Sequence, residues 1–105
     1  MGTSKATVAA ILEAAGPGAS ARAMFGEHAL YWGAKLVALV CDDRLFLKDT
    51  PGGRAILEDA EEAPPYPGAK AHLVVPEELW GHGLAGLLAT TAEALPEPRP
   101  KRRAP

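Results

Sequence analysis

Residues 22–48 constrain the fold more than any other part of this 105-residue chain. They hold three strand-like runs and two tight turns, and no link is long enough for a parallel crossover. The central run is 35–41, where Leu36, Val37, Ala38, Leu39 and Val40 follow one another without a polar residue. A continuous apolar run with β-branched members predicts a strand buried on both faces, and therefore a central one. Residues 29–32 form the strand before it, and Gly33-Ala34, with glycine first, fits a type II′ hairpin turn. Asp42-Asp43 supplies the next turn. In 44–48, Leu45 and Leu47 point one way and Arg44, Phe46 and Lys48 the other, the period of a pleated strand. A further short strand, 21–25, precedes these and is broken at Gly26.

Helical patterns flank this meander. Thr3 or Ser4 can cap a first helix, along which Val8, Ile11, Leu12 and Ala15 make one apolar stripe. Gly16-Pro17-Gly18 ends it. Thr50-Pro51 pairs a capping hydroxyl with proline at the first helical position, and Ile56, Leu57 and Ala60 give that second helix an inward face. Gly52-Gly53 weakens its first turn by about 1 kcal/mol each. The segment 63–68 is a loop by composition, 71–75 a fifth strand, and Pro76-Glu77-Glu78-Leu79 one helical turn. Leu84, Leu87, Leu88, Thr91 and Leu95 mark the clearest amphipathic helix, with Ala85, Ala89, Thr90 and Glu93 outside. The order α-β-β-β-β-α-β-α predicts an α+β fold of two layers: a mostly antiparallel sheet of about five strands with helices packed on it.

Residues 96–105 contain four prolines and no large apolar side chain. They cannot offset the entropy of ordering themselves, so they read as a disordered basic tail behind one domain at 1–95. Residues 1–95 carry 7 Lys/Arg against 12 Asp/Glu, a net of −5, and the tail carries 4 against 1, a net of +3. A negative body argues against a broad nucleic-acid footprint, which leaves at most weak contact through Arg99, Lys101, Arg102 and Arg103. No apolar run approaches the ~18 residues that span a membrane, and no secretory leader is seen. Cys41 is alone, so the expected compartment is the reducing cytoplasm.

No residue set predicts catalysis, a cofactor or a metal. Burial and the neighbouring Asp42 and Asp43 are expected to raise the Cys41 thiol pKa, the reverse of what a nucleophile needs. His28, His72 and His82 lack partners at metal spacing. The glycine pairs match no phosphate loop. Trp32 and Trp80 are expected in the core, with one of them the alternative anchor for a partner.

Arg22-Ala23-Met24-Phe25-Gly26, Leu30-Tyr31, the run from Lys35 to Val40 and the run from Asp42 to Lys48 together resemble the N-terminal domain of the TfoX/Sxy competence regulators. Arg54-Ala55, Tyr66-Pro67-Gly68 and Val75-Pro76-Glu77-Glu78 extend the resemblance, which covers residues 4–95. Pro65 stands where an aromatic is usual, and Leu73-Val74 where a tyrosine pair is common. The longer regulators continue into a second helical domain, so a stand-alone single-domain member is expected. The resemblance implies a secretion-chaperone-like α+β sandwich. The full-length regulators promote natural transformation with the cyclic-AMP receptor protein at competence promoters. No enzymatic activity or cofactor is established for the domain, so no site residue is carried over.

These readings predict a small regulatory module, not an enzyme, that binds a protein partner such as transcription machinery, with Arg22, His28, Tyr31 and Trp80 as the candidate partner surface. The alternative is a chaperone-like or homodimeric binding protein without a transcriptional role, using the sheet face or the last helix. A third reading is a ligand site built from Arg22, His28 and Tyr31 at one hairpin end.

Overall fold

The computed structural model describes residues 3–24, 27–81 and 83–96. The strand end at Phe25, the break at Gly26, His82 and the basic tail from Glu97 onward lie outside the described residues.

The chain starts with α1 (Lys5–Ala15), capped by the Ser4 hydroxyl, which accepts the Thr7 N–H at 3.2 Å. Gly16 ends it in a left-handed conformation, φ 88°. Four strands follow: β1 (Ala19–Met24), β2 (Glu27–Trp32), β3 (Lys35–Cys41) and β4 (Arg44–Leu47), each antiparallel to the last. Gly33 takes φ 63° in the second turn, as the glycine-first reading requires. Asp42 and Asp43 take φ 53° and 61° in the third. Two successive left-handed residues match the twist of the flanking strands, and aspartate tolerates that region better than most residues.

After α2 (Pro51–Leu57) the chain returns to the sheet as β5 (Glu62–Ala63) and β6 (His72–Val75). A 3₁₀ turn (Glu77–Leu79) leads to α3 (Leu84–Ala94). The sheet has six strands in the order β1-β2-β3-β4-β6-β5. The sequence pattern gives about five because β5 is only two residues long and precedes two prolines. It forms because the chain leaving α2 runs beside β6, where the Val74 N–H donates to the Glu61 carbonyl at 2.8 Å.

The central strand is buried on both faces, with a shift of phase that its sequence does not show. Leu30 pairs with Ala38 but Tyr31 pairs with Leu36, so Val37 is one residue too many. This bulge keeps Val37 and Ala38 on the same side. Both join Ile11, Leu30, Val40, Leu45, Leu47, Leu73, Leu84 and Leu88 in the main core, between the sheet and the helices. Leu39 and Cys41 face away, into a second cluster with Ala29, Phe46 and Val74 on the outer face. Beyond the bulge, Lys35 reaches the end of α3 and donates to the Ala92 and Leu95 carbonyls at 2.9 and 3.0 Å. A cation on orphan carbonyls at a helix C-terminus satisfies them and complements the dipole.

The glycines of α2 serve close packing against α3. A Cβ on Gly52 would stand 2.5 Å from Thr90 Cγ2, and one on Gly53 would crowd Leu47, Thr50 and Thr91. Helix propensity favours alanine over glycine by about 1 kcal/mol, so contact decides the sign. Gly52→Ala is expected to lower stability in the native background and to raise it by up to about 1 kcal/mol in Thr90→Ser, where the obstructing methyl is gone. Thermal unfolding of the four proteins checks this reversal. The same sign in both backgrounds would show that contact with Thr90 is not the reason for the glycine.

Candidate functional site

The pleat sorts the candidate residues before any contact is considered. In β2, Ala29 and Tyr31 share the outer face, while Leu30 packs into the main core and Trp32 against it. Arg22 is paired in register with Ala29 and so stands on the outer face too. Its guanidinium lies over the Tyr31 ring, 5.9 Å from the centroid. His28 has the parity of Leu30 and belongs to the helix side. Its Nδ1 is buried and has no hydrogen-bond partner among the described residues. Trp80 is 8% exposed within the main core, and its Nε1 donates to the Val75 carbonyl at 3.2 Å. The structure therefore brings Arg22 and Tyr31 together and puts His28 and Trp80 elsewhere. A site joining Arg22, His28 and Tyr31 is not formed, because residues of opposite parity leave the sheet on opposite sides.

The outer face repeats the arginine-on-aromatic pattern. Arg44 lies over Phe46, 5.3 Å from its centroid. Arginine stems cover apolar surface while the charged heads stay in water, and each stacked pair adds about 0.5–1 kcal/mol at an exposed position. Between these pairs are the buried Ala29, Leu39 and Cys41, and Val74 lies beyond Phe46 on β6. At the end of the face where β3 finishes, Met24, Glu27, Cys41 and Tyr66 line a cleft of about 440 Å³. Tyr66 is 53% exposed and Met24 36%. The sequence reading placed Tyr66 in a loop by composition and gave it no role. The available signal was one aromatic residue in a segment otherwise made of proline, glycine and small side chains.

Cys41 carries no reactive character. Burial, then the Glu27 and Asp42 carboxylates, push its thiol up to about 11. Asp43, which the sequence placed beside it, instead turns its carboxylate to α1. At pH 8 the folded protein is expected to resist a disulfide reagent such as DTNB and to react fully once unfolded. Prompt reaction of the native protein would mean that the cleft opens far enough to hydrate the sulfur.

Around Glu27 a polar cluster fixes the start of α1 to the β3–β4 turn. The Thr3 hydroxyl donates to Glu27 Oε1 at 2.6 Å, and the Asp42 N–H donates to the same oxygen at 3.0 Å. Asp43 Oδ1 accepts the Ser4 N–H and the Thr7 hydroxyl, both at 2.8 Å. The Thr3 hydroxyl of Glu27 and the Ser4 N–H of Asp43 are the leading reasons that each carboxyl titrates below its ordinary value. A folded pKa below the unfolded one means a contribution that is complete above the ordinary carboxylate range and is lost as pH falls through the lowered values. Stability is therefore expected to fall below about pH 4. Asp43→Asn, which keeps left-handed tolerance, is expected to lower stability at pH 7 and to flatten the acid limb in urea titrations. An acid limb identical to that of the native protein would remove Asp43 from this account.

Among the described residues, no group of three His, Cys, Asp or Glu is placed to hold a metal ion, and no helix is long and apolar enough to cross a membrane. A sequence model of the TfoX N-terminal domain matches residues 10–90. The chain belongs to the TfoX N-terminal domain family. A protein of Spirochaeta aurantia, described as an uncharacterized 12.7 kDa protein in the trpE 5′ region, is 42% identical over 107 aligned positions, covering 97% of this chain and 91% of that protein. No solved structure matches significantly.

Proposed function

We propose that this TfoX-like module is a cytoplasmic regulator of transcription that works by binding a protein partner and performs no reaction of its own. The observation that carries the reading is family membership across residues 10–90. The outer sheet face supports it with an apolar centre flanked by Arg22 on Tyr31 and Arg44 on Phe46. Arginine and tyrosine are among the side chains that most often dominate binding energy at protein interfaces. Fold alone does not fix the partner. The test is deletion of the gene in its source organism, transcript profiling, and complementation. The native gene is expected to restore a defined transcript set, and Arg22→Ala/Tyr31→Ala to fail although the folded protein accumulates. An unchanged transcript profile would favour the second reading, a chaperone-like binding protein without a transcriptional role.

A further inference from the structure

At the side of the sheet away from β1 there is a groove of about 260 Å³. Its apolar lining comes from Leu57 at the end of α2, Val74 of β6, Pro76 and Leu79. Leu79 is 36% exposed, and Ile56, next to Leu57, is 51% exposed. Its polar lining is acidic, with Glu58, Asp59 and Glu61, and Glu77 and Glu78 directly precede Leu79. The nearby cations are already engaged. Arg44 pairs with Glu61 at 3.4 Å, and Arg54 pairs with Asp49 at 2.6 Å and Glu62 at 2.8 Å. Glu58, Asp59, Glu77 and Glu78 are exposed and have no ion-pair partner among the described residues. An apolar groove with an uncompensated negative rim fits a segment that is basic and brings few backbone donors into the apolar part.

We propose that the groove docks residues 97–105 of the same chain, which lie outside the described residues. Charge and composition select this occupant. The segment reads Glu-Pro-Arg-Pro-Lys-Arg-Arg-Ala-Pro, with 4 cations against 1 carboxylate, a net of +3. Its prolines have no N–H to leave unsatisfied. They also favour the extended polyproline II conformation before binding, which lowers the ordering cost. The topology puts the segment within reach. Gly52 and Gly53 at the start of α2 meet Thr90 and Thr91 late in α3, whereas Leu57 at the end of α2 shares the groove with Leu79, which precedes α3. The two helices therefore run antiparallel, and the groove lies about one length of α3 from the point where the chain leaves it at Pro96. That length is about 16 Å for the 11 residues of α3. At about 3.1 Å per residue, roughly five residues beyond Pro96 cover it, which brings Lys101, Arg102 and Arg103 to the carboxylates. Each exposed pair adds little by itself. The tether compensates by holding the segment at an effective concentration on the order of 1 mM, so a segment that binds with a Kd of about 1 mM when free is docked in about half of the molecules.

Amide chemical shifts of the full chain test this. Lys101→Ser/Arg102→Ser/Arg103→Ser is expected to shift the amides of 57–61 and 77–79 and, outside the substituted segment, no others. Raising the salt from about 50 mM to about 500 mM is expected to move the same amides of the native chain toward the same positions, because exposed pairs are screened. A synthetic peptide of residues 97–105, added to the neutralised chain, is expected to reverse the shifts with a Kd of about 1 mM. It is expected to bind about tenfold more weakly when that chain also carries Glu77→Lys/Glu78→Lys. Both glutamates are exposed, so this change leaves the fold intact. If the spectrum shows that the variant is unfolded, the neutralised chain and the peptide decide. Shifts that are absent, that fall elsewhere, or that survive Glu77→Lys/Glu78→Lys overturn the proposal. Shifts that grow with protein concentration overturn it too, because a second copy then supplies the segment. The docking uses neither Arg22 nor Tyr31, so it and the transcription reading can fail independently.

Discussion

One extra residue in β3 sets the relation between the two faces of this sheet. A strand with strict alternation from Ala38 back to Lys35 would send Val37 to the outer face and Leu36 into the main core. The bulge opposite Leu30 and Tyr31 reverses both. It also sends the Lys35 ammonium to the end of α3, where it meets two carbonyls. The helix layer is thus tied to the sheet by Val37 packing within it and by Lys35 closing its last helix. Leu36 is left to extend the outer cluster toward Tyr31. A bulge bends and twists its strand locally, so the same residue that fixes the core also shapes the outer face.

Much of this was legible in the residues. The run from Leu36 to Val40 announced a central strand, Gly33-Ala34 and Asp42-Asp43 announced their turns, and Thr50-Pro51 announced a helix start to the residue. The bulge was not legible, because a run that is apolar throughout looks the same with or without a shift of phase. The two-residue β5 was not legible either, since its pairing is imposed by β6 and not by any period of its own. Gly52 and Gly53 were read only as a cost to helix formation. Their contact with Thr90 and Thr91 depends on two segments almost 40 residues apart in the chain, which local propensity cannot report.

The outer face was half legible. Arg22 and Tyr31 were singled out and do lie together, but His28 was grouped with them by nearness in sequence. Parity already separated it: 28 and 31 differ by an odd number, so in one strand they leave opposite faces. Trp80 separates two readings that its sequence context left side by side. It was expected in the core, with a partner anchor as the alternative, and its ring does fill the main core while its N–H is satisfied by Val75. A large aromatic whose polar tip finds a backbone carbonyl can be buried at little cost.

The polar cluster at the start of α1 links these parts. Thr3, Ser4 and Thr7 are ordinary capping residues, and in isolation they would do no more than begin a helix. Because Asp43 accepts from Ser4 and Thr7, the helix begins over the β3–β4 turn. Because Gly16 and the residues after it lead directly into Ala19, the helix must end at the opposite corner of the sheet. An eleven-residue helix held at those two points has to run obliquely. On the helix side it covers the first half of β1 and leaves Ala23 open. The Asp43 carboxylate that anchors the start of α1 is thus also the group that decides which part of β1 is covered on the helix side.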